Sequence, residues 1–280
     1  MRKICIIYNS FSGKGKTVQL VPQIIDYLKQ LGLESEAWMN NYPSNLDGFS
    51  ELIIVGGDGT IQNVFNHFQS VLIPVLIIKS GTGNDFYEHV YGKSNWTQQL
   101  DKLKQVKVIS IDAGICNQKI FLNGLGIGFD GEVVKSGLGK NLFSGKAAYM
   151  STVLSLLFTH QESEIEVELN GQNFKGPMFM LSVANGSTYG GGFRVAPNAD
   201  LQDGVLEFSW VKNISLLKRM RYLPVIEKGK HLDLPFIDYS KIENVKIKSK
   251  NLLQAHLDGE WFESKYFEVQ ILKSQYRLVV

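Results

Sequence analysis

The chain has 280 residues, enough for two medium domains that each bury a core of their own. Its 44% hydrophobic and 20% charged residues, with 27 glycines, exclude the disordered and fibrous classes. Lys and Arg number 29 against 27 Asp and Glu; a net charge of +2 gives no chain-wide attraction for nucleic acid, so no nucleic-acid partner is expected and any pull toward an anionic surface is local.

The amino terminus passes from Arg2 and Lys3 straight into a strand-like run, without the apolar segment and cleavage site of a signal peptide, and a cytoplasmic location is expected. From 3 to 112, short β-rich runs alternate with helical periodicity, the pattern of a parallel sheet flanked by helices. Strands are predicted at 3–9, 52–55, 74–79 and 107–112, and helices at 17–31 and 61–67. After about residue 113 the pattern becomes all-β, with strands predicted at 120–122, 165–169, 178–184, 205–211, 245–248, 252–257, 266–272 and 276–280. Asn170-Gly171 reads as a hairpin turn, because both residues tolerate positive φ. Helices at 144–158 and near 215–223 interrupt the strands. The apolar run 147–158 is shorter than the roughly 20 residues that span a bilayer. The fold class is therefore an α/β amino-terminal domain with a parallel sheet, residues 1–112, plus a carboxyl-terminal β-sandwich, residues 113–272. Cys5 and Cys116 lack metal-ligand or CxxC spacing and read as buried thiols.

Three glycine-rich loops fall at the carboxyl ends of the first three predicted strands, where open α/β sheets bind ligands. In Gly56-Gly57-Asp58-Gly59-Thr60, a buried strand delivers glycines, an acid and a hydroxyl to a helix start. Bare backbone amides approach phosphates closely there, and a carboxylate among phosphates points to Mg²⁺ between them. A helix cap is the structural alternative for Asp58. Ser80-Gly81-Thr82-Gly83-Asn84-Asp85-Phe86 repeats the pattern, and Asn9-Ser10-Phe11-Ser12-Gly13-Lys14-Gly15-Lys16-Thr17 nearly matches a P-loop, with Ser10 in place of its leading glycine. The first loop reads as a third wall of a nucleotide site, contributed by Asn9, Ser12 and Gly13, with a solvated basic loop as the alternative.

GGDGT at 56–60 together with GTGNDF at 81–86 is similar to the catalytic domain of diacylglycerol kinases and related bacterial lipid kinases. The resemblance continues through Phe121 to Asp130, Ala184-Asn185-Gly186, Tyr189 to Gly192, Ala196-Pro197-Asn198-Ala199 leading to Asp203-Gly204, and Leu257-Asp258-Gly259-Glu260, so it covers nearly the whole chain. It implies ATP and Mg²⁺ bound between a nucleotide domain and a lipid-substrate β-sandwich, with the last segment, 273–280, rejoining the first domain. By match of motif, Glu260 corresponds to the general base, Asp203 to a carboxylate ligand of a structural Mg²⁺ completed by the carbonyls of Asp200 and Val205, and Thr82 with residues 56–60 to nucleotide contacts. Read without the family, Asp258-Gly259-Glu260 is equally a polar turn, and Asp200 and Asp203 are turn carboxylates.

The chain departs from the family pattern at Gln62-Asn63, where relatives carry Asn-Glu, at Phe86-Tyr87-Glu88, where an Arg is expected nearby, and at Trp38, near a usual Thr. The resulting expectation is an ATP- and Mg²⁺-dependent lipid kinase, for diacylglycerol or a related lipid. An NAD kinase-like enzyme and an inactive nucleotide- or lipid-binding sensor are the alternatives. Lys212, Lys218, Arg219, Arg221, Lys228 and Lys230, interleaved with leucines, read either as a solvated helix face or as a patch for an anionic membrane, placing the protein peripherally at the inner face. The five histidines lack metal-ligand spacing and receive no chemistry. The oligomeric state, including a homodimer, is left open.

Overall fold

The computed structural model describes residues 2–137 and 146–280. The chain divides into two compact units, Met1–Asp112 with Lys273–Val280, and Ala113–Leu272, and passes between them twice.

The first unit is an open parallel sheet in the order β2 (Glu34–Met39), β1 (Lys3–Tyr8), β3 (Glu51–Gly56), β4 (Val75–Lys79). The end of the long strand β14 (Glu260–Val279) adds to β4 in parallel, Leu278 opposite Val75. The inner strands are unbroken apolar runs because both faces are covered. Ile4, Ile6, Ile53 and Val55 pack under α1 (Lys16–Gln30) and α4 (Trp96–Asp101), while Cys5, Ile7, Leu52 and Ile54 alternate to the other face and are equally buried. In α2 (Asp58–His67), Phe65 lies 4.1 Å from the ring of Tyr276, a contact that ties the returning segment to the first unit. β2 escaped prediction because it is an edge strand whose residues are exposed or half-buried, so no apolar face marks it.

The second unit is antiparallel, in the order β12 (Ile237–Ile242), β11 (Leu206–Val211), β10 (Met180–Ala184), β7 (Gly124–Gly128), β13 (Asn244–Leu257), β14. β8 (Ser163–Leu169) and β9 (Gln172–Met178) form a hairpin whose turn residues, Asn170 and Gly171, have φ of 51° and 76°, as their types predict. β13 pairs with β8 through Lys246–Ser249 and with β7 through Ala255–Leu257, with a register shift between Lys248 and Leu253. One strand thus serves two layers by bending at a bulge, which is how sandwich corners form. The strands β5 (Val108–Cys116) and β6 (Lys119–Phe121) pair with each other, and α5 (Phe129–Gly137), α6 (Lys146–Thr159) and α7 (Leu216–Glu227) accompany the sheet.

Several predicted boundaries change. The runs 245–248 and 252–257 are one strand, as are 266–272 and 276–280; in β13 the strand runs on through the irregularity at which its register with β14 shifts. The run 178–184 is broken at Phe179, and the predicted start of a helix at 144 lies outside the described residues. Among the described residues no helix is long and apolar enough to cross a membrane. Both cysteines are free and buried, and burial pushes each thiol up to about 12.

Candidate functional site

In the first unit the three glycine-rich loops meet. Thr17, fully buried, donates its hydroxyl to the carbonyl of Ser12 at 3.0 Å and lies 2.7 Å from the hydroxyl of Ser80. A hydroxyl has one proton, so Ser80 is the donor in that pair. Ser12 Oγ and Thr60 Oγ1 are 3.0 Å apart, which joins the first loop to the second. Gly13 has φ of 60°, and a Cβ there would lie 2.0 Å from the carbonyl oxygen of Ser80. A Cβ on Gly57 would come within 2.6 Å of the Gly83 carbonyl, and one on Gly81 within 2.5 Å of the Gly57 Cα. These glycines are required first by loop-on-loop contact, which leaves the remaining backbone bare.

Asp58 sits between the second and third loops. Its amide donates to the Gly83 carbonyl at 3.1 Å, and its carboxylate accepts from the amides of Asp85 (2.9 Å) and Phe86 (3.2 Å) at the start of α3 (Asp85–Tyr91). The cap is therefore real, but it serves α3 instead of the helix that Asp58 begins. Each carboxylate oxygen offers two lone pairs, so capping leaves acceptor capacity toward a cation. Gly56, whose Cβ would strike the Thr60 side chain, and Gly59 complete the turn, and Thr82 is exposed at the tip of the third loop.

Beside these loops opens a cavity of ≈ 230 Å³, bordered by Asn9 and Thr60 and by Tyr8, Phe11, Tyr42 and Asn63. Asn40, next to it, accepts from the Ser10 amide at 2.8 Å and donates to the Ser10 hydroxyl at 2.7 Å, fixing the first loop. Tyr42 is stacked on His67 at 4.1 Å. Sequence reasoning missed the aromatic residues; the available signal was an aromatic residue, Phe11, inside a polar loop, and the structure leaves it 82% exposed. Of the departures from the family pattern, Gln62 is buried, Asn63 is exposed on the cavity rim, and Trp38 packs edge-on against Phe49 at 5.5 Å.

In the second unit Glu260 is exposed at the first residue of β14, after a tight turn in which Asp258 and Gly259 have φ of 48° and 90°. Asp258 anchors that turn: its carboxylate accepts from the amides of Leu122, Asn123 and Gly124 at 2.7, 2.9 and 2.8 Å. Loss of solvent raises the Asp258 pKa, and the three amides oppose the rise.

Asp200 and Asp203 lie in the exposed loop before β11. Asp200 accepts from the Gln202 amide at 3.0 Å, while Asp203 accepts from the Val205 amide at 3.2 Å and from Lys241 Nζ at 2.8 Å. Lys241 also lies 3.5 Å from Glu207, and Asp203 holds its ammonium above the usual lysine value. No hydrogen bond or ion pair joins Glu260 to Asp200 or Asp203 among the described residues. Nor, among them, do three or more His, Cys, Asp or Glu side chains gather to hold a metal, so a cation in this loop would depend on main-chain oxygens.

An apolar cavity of ≈ 50 Å³ lies under α6 and α7, walled by Val153, Leu157, Phe193 and Leu223, with Asp130 as its carboxylate. Arg219 is not part of a solvated basic face. It turns inward, pairs with Glu162 and donates to the carbonyls of Leu157 (3.0 Å) and His160 (3.1 Å) at the end of α6. Lys212 pairs with Asp238 at 2.9 Å, whereas Lys218, Arg221, Lys228 and Lys230 are exposed and carry no ion pair among the described residues.

Residues 3–116 match the diacylglycerol kinase catalytic domain, and residues 124–279 match the YegS C-terminal NAD kinase beta sandwich-like domain. The chain belongs to the diacylglycerol kinase catalytic-domain family. It is 27% identical over 274 residues to a protein of Bacillus subtilis (strain 168) named diacylglycerol kinase, covering 93% of this chain and 90% of that one. A diacylglycerol kinase of Staphylococcus carnosus (strain TM300) is 25% identical, over 91% and 88% of the two chains. The crystal structure of a diacylglycerol kinase from Bacillus anthracis str. Sterne has a TM-score of 0.73 at 19% identity, covering 99% of this chain and 96% of that one. A second structure from that organism has a TM-score of 0.82 at 22% identity, over 99% and 95%. These two likenesses show the fold: a parallel α/β unit followed by a sandwich-like unit. Membership in this family supports a lipid kinase, and a kinase family implies ATP as the phosphate donor.

Proposed function

We propose that this chain is an ATP- and Mg²⁺-dependent kinase that transfers the γ-phosphate to the hydroxyl of diacylglycerol or a related lipid. The observation that carries the lipid part is the apolar cavity under α6 and α7, with one carboxylate, Asp130, among its walls. At ≈ 50 Å³ it is far below the roughly 300–1,000 Å³ of a ligand pocket, so an acyl chain enters only if a wall parts. α7 has no fully buried residue and is the wall that yields.

The meeting of bare glycines, hydroxyls and Asp58 in the first unit fits a nucleotide triphosphate. Asn9, Ser12, Gly13 and residues 56–60 hold its phosphates through amides and hydroxyls, and Thr82 closes over it from the third loop. Asp58, steadied by the α3 amides, would hold Mg²⁺, and MgATP, once bound, would supply the phosphoryl group with its charge neutralised. Glu260 accepts the proton of the attacking hydroxyl. In the Asp200, Asp203 and Val205 loop, two carbonyls and a carboxylate are the oxygen donors that Mg²⁺ takes. Lys241 fills the cation's place beside Asp203, so binding a metal there means displacing an ammonium.

The same two helices support a peripheral membrane position. Leu154 and Phe158 on α6 and Leu217 and Met220 on α7 are exposed, and Lys218 and Arg221 accompany them. Each basic residue near an anionic bilayer contributes about 1 kcal/mol, so replacing Lys218 and Arg221 by Ala together is expected to weaken vesicle binding about thirtyfold. Sedimentation with anionic and neutral vesicles at low salt checks this, and equal binding to both would remove the membrane assignment.

Transfer of labelled γ-phosphate from ATP, with Mg²⁺, to a total lipid extract in detergent micelles tests the proposed activity. A single labelled lipid of the phosphatidic acid class is the expected product. Bound ATP with no labelled lipid would favour a sensor, and phosphorylation of NAD instead would favour the NAD kinase-like alternative.

A further inference from the structure

We propose that His256 is a positioning residue for Glu260, holding the turn that presents it and linking that turn to Asp130 on the wall of the apolar cavity. The inference rests on the assignment of Glu260 as the proton acceptor. His256 lies on β13, four residues before Glu260, and its side chain is only 5% exposed. A buried imidazole needs partners for both nitrogens. Nδ1 accepts from the amide of Gly259 at 3.3 Å. A ring nitrogen that accepts carries no hydrogen, so the proton of the neutral ring is on Nε2. Nε2 faces Asp130 Oδ2 at 3.7 Å, and that buried oxygen has no hydrogen bond among the described residues.

The space for this contact is reserved by Gly126 of β7, directly opposite His256 in the sheet register. A Cβ at 126 would lie 2.5 Å from His256 Nε2 and 2.7 Å from Asp130 Oδ2, so any larger residue would displace one of the two. The turn is thus fastened twice, by Asp258 to the amides of 122–124 and by His256 to the amide of Gly259, the residue before Glu260. Asp130 also lines the cavity, and Tyr189, another lining residue, sets its ring edge-on to His256 at 5.6 Å. A polar wall of the cavity and the carboxylate beyond the turn are therefore separated by one imidazole, which accepts from the Gly259 amide on one side and stands 3.7 Å from Asp130 on the other. Since a misplacement of about 1 Å can cost about 10²-fold in rate, the Gly259 bond is the one that matters for turnover.

Two substitutions divide the two nitrogens. In His256→Asn the amide oxygen stands near the Nδ1 position and keeps an acceptor for Gly259; in His256→Gln the amide nitrogen stands near Nε2 and keeps a donor toward Asp130. His256→Asn is expected to retain kcat and raise the KM for lipid, whereas His256→Gln is expected to lose about 10²-fold in kcat with KM nearly unchanged. The same response in both variants, whether none or an equal loss, would overturn the inference. Absence of turnover in the unmodified chain would instead overturn the kinase assignment. Independently of activity, ¹⁵N spectra of the histidine rings of the intact protein are expected to show His256 as the Nε2–H tautomer, and an Nδ1–H tautomer would sink the proposal.

Discussion

Glu260→Gln is expected to keep nucleotide binding and to lose turnover by about 10²–10⁴-fold, the range that a positioned proton acceptor contributes. The amide is nearly isosteric with the carboxylate but cannot take a proton at neutral pH. Glu260 is exposed at the start of β14, so the change is expected to alter stability by no more than about 0.5 kcal/mol. That combination makes the result interpretable, because a loss of rate cannot then be put down to unfolding. The measurement is labelled phosphate transfer at saturating ATP and lipid, paired with calorimetric titration of nucleotide. An unchanged kcat would remove Glu260 as the proton acceptor and send the search to Asp58, whose carboxylate is the other candidate in this chain.

Gly131→Ala is expected to destabilise the second unit by about 3 kcal/mol, the upper end for overpacking a filled core. Gly131 is buried in α5, and a Cβ there would lie 2.2 Å from the Gln254 carbonyl carbon and 2.3 Å from the Ala255 amide nitrogen. All the atoms it meets are backbone, so no side chain can rotate aside. The helix must move off β13 as a body. Alanine's better helix propensity favours the substitution by about 1 kcal/mol, and the steric term wins because main-chain atoms cannot interpenetrate. The midpoint of denaturant unfolding measures the effect. An unchanged midpoint would mean that α5 does not rest on β13, and would also undercut the placement of neighbouring Asp130 beside His256.

The fate of individual elements shows what kind of information each required. Ile4 to Ile7, Leu52 to Val55 and Val75 to Ile78 were legible because strands covered on both faces are continuously apolar, and the loops that follow them carry glycines that betray close backbone contact. The hairpin turn at Asn170-Gly171 was equally local, since its conformation is a property of those two residues. β7, Gly-Leu-Gly-Ile-Gly, was not legible as a strand, because glycine has little strand preference of its own. Only its neighbours explain the composition: Tyr189 crowds Gly124, His256 and Asp130 crowd Gly126, and Phe179 crowds Gly128. β13 and β14 read as broken runs because their polar middles carry no apolar alternation, and in β13 that middle is where the register with β14 shifts.

By itself the sequence determined the alternation of strands and helices in the first unit, the all-β character of the second, the three loops and their glycines, and the family resemblance carried by those loops. These are features written in short windows, where periodicity and backbone permissiveness act within a few residues. Tertiary structure decided that Asp58 caps α3, that Lys241 takes the Asp203 carboxylate, that Arg219 turns inward to close α6, and that His256 stands between Asp130 and the Gly259 amide. Each of these joins residues that are distant in the chain or whose direction depends on packing, so their partners exist only once the strands have paired and the helices have settled on them.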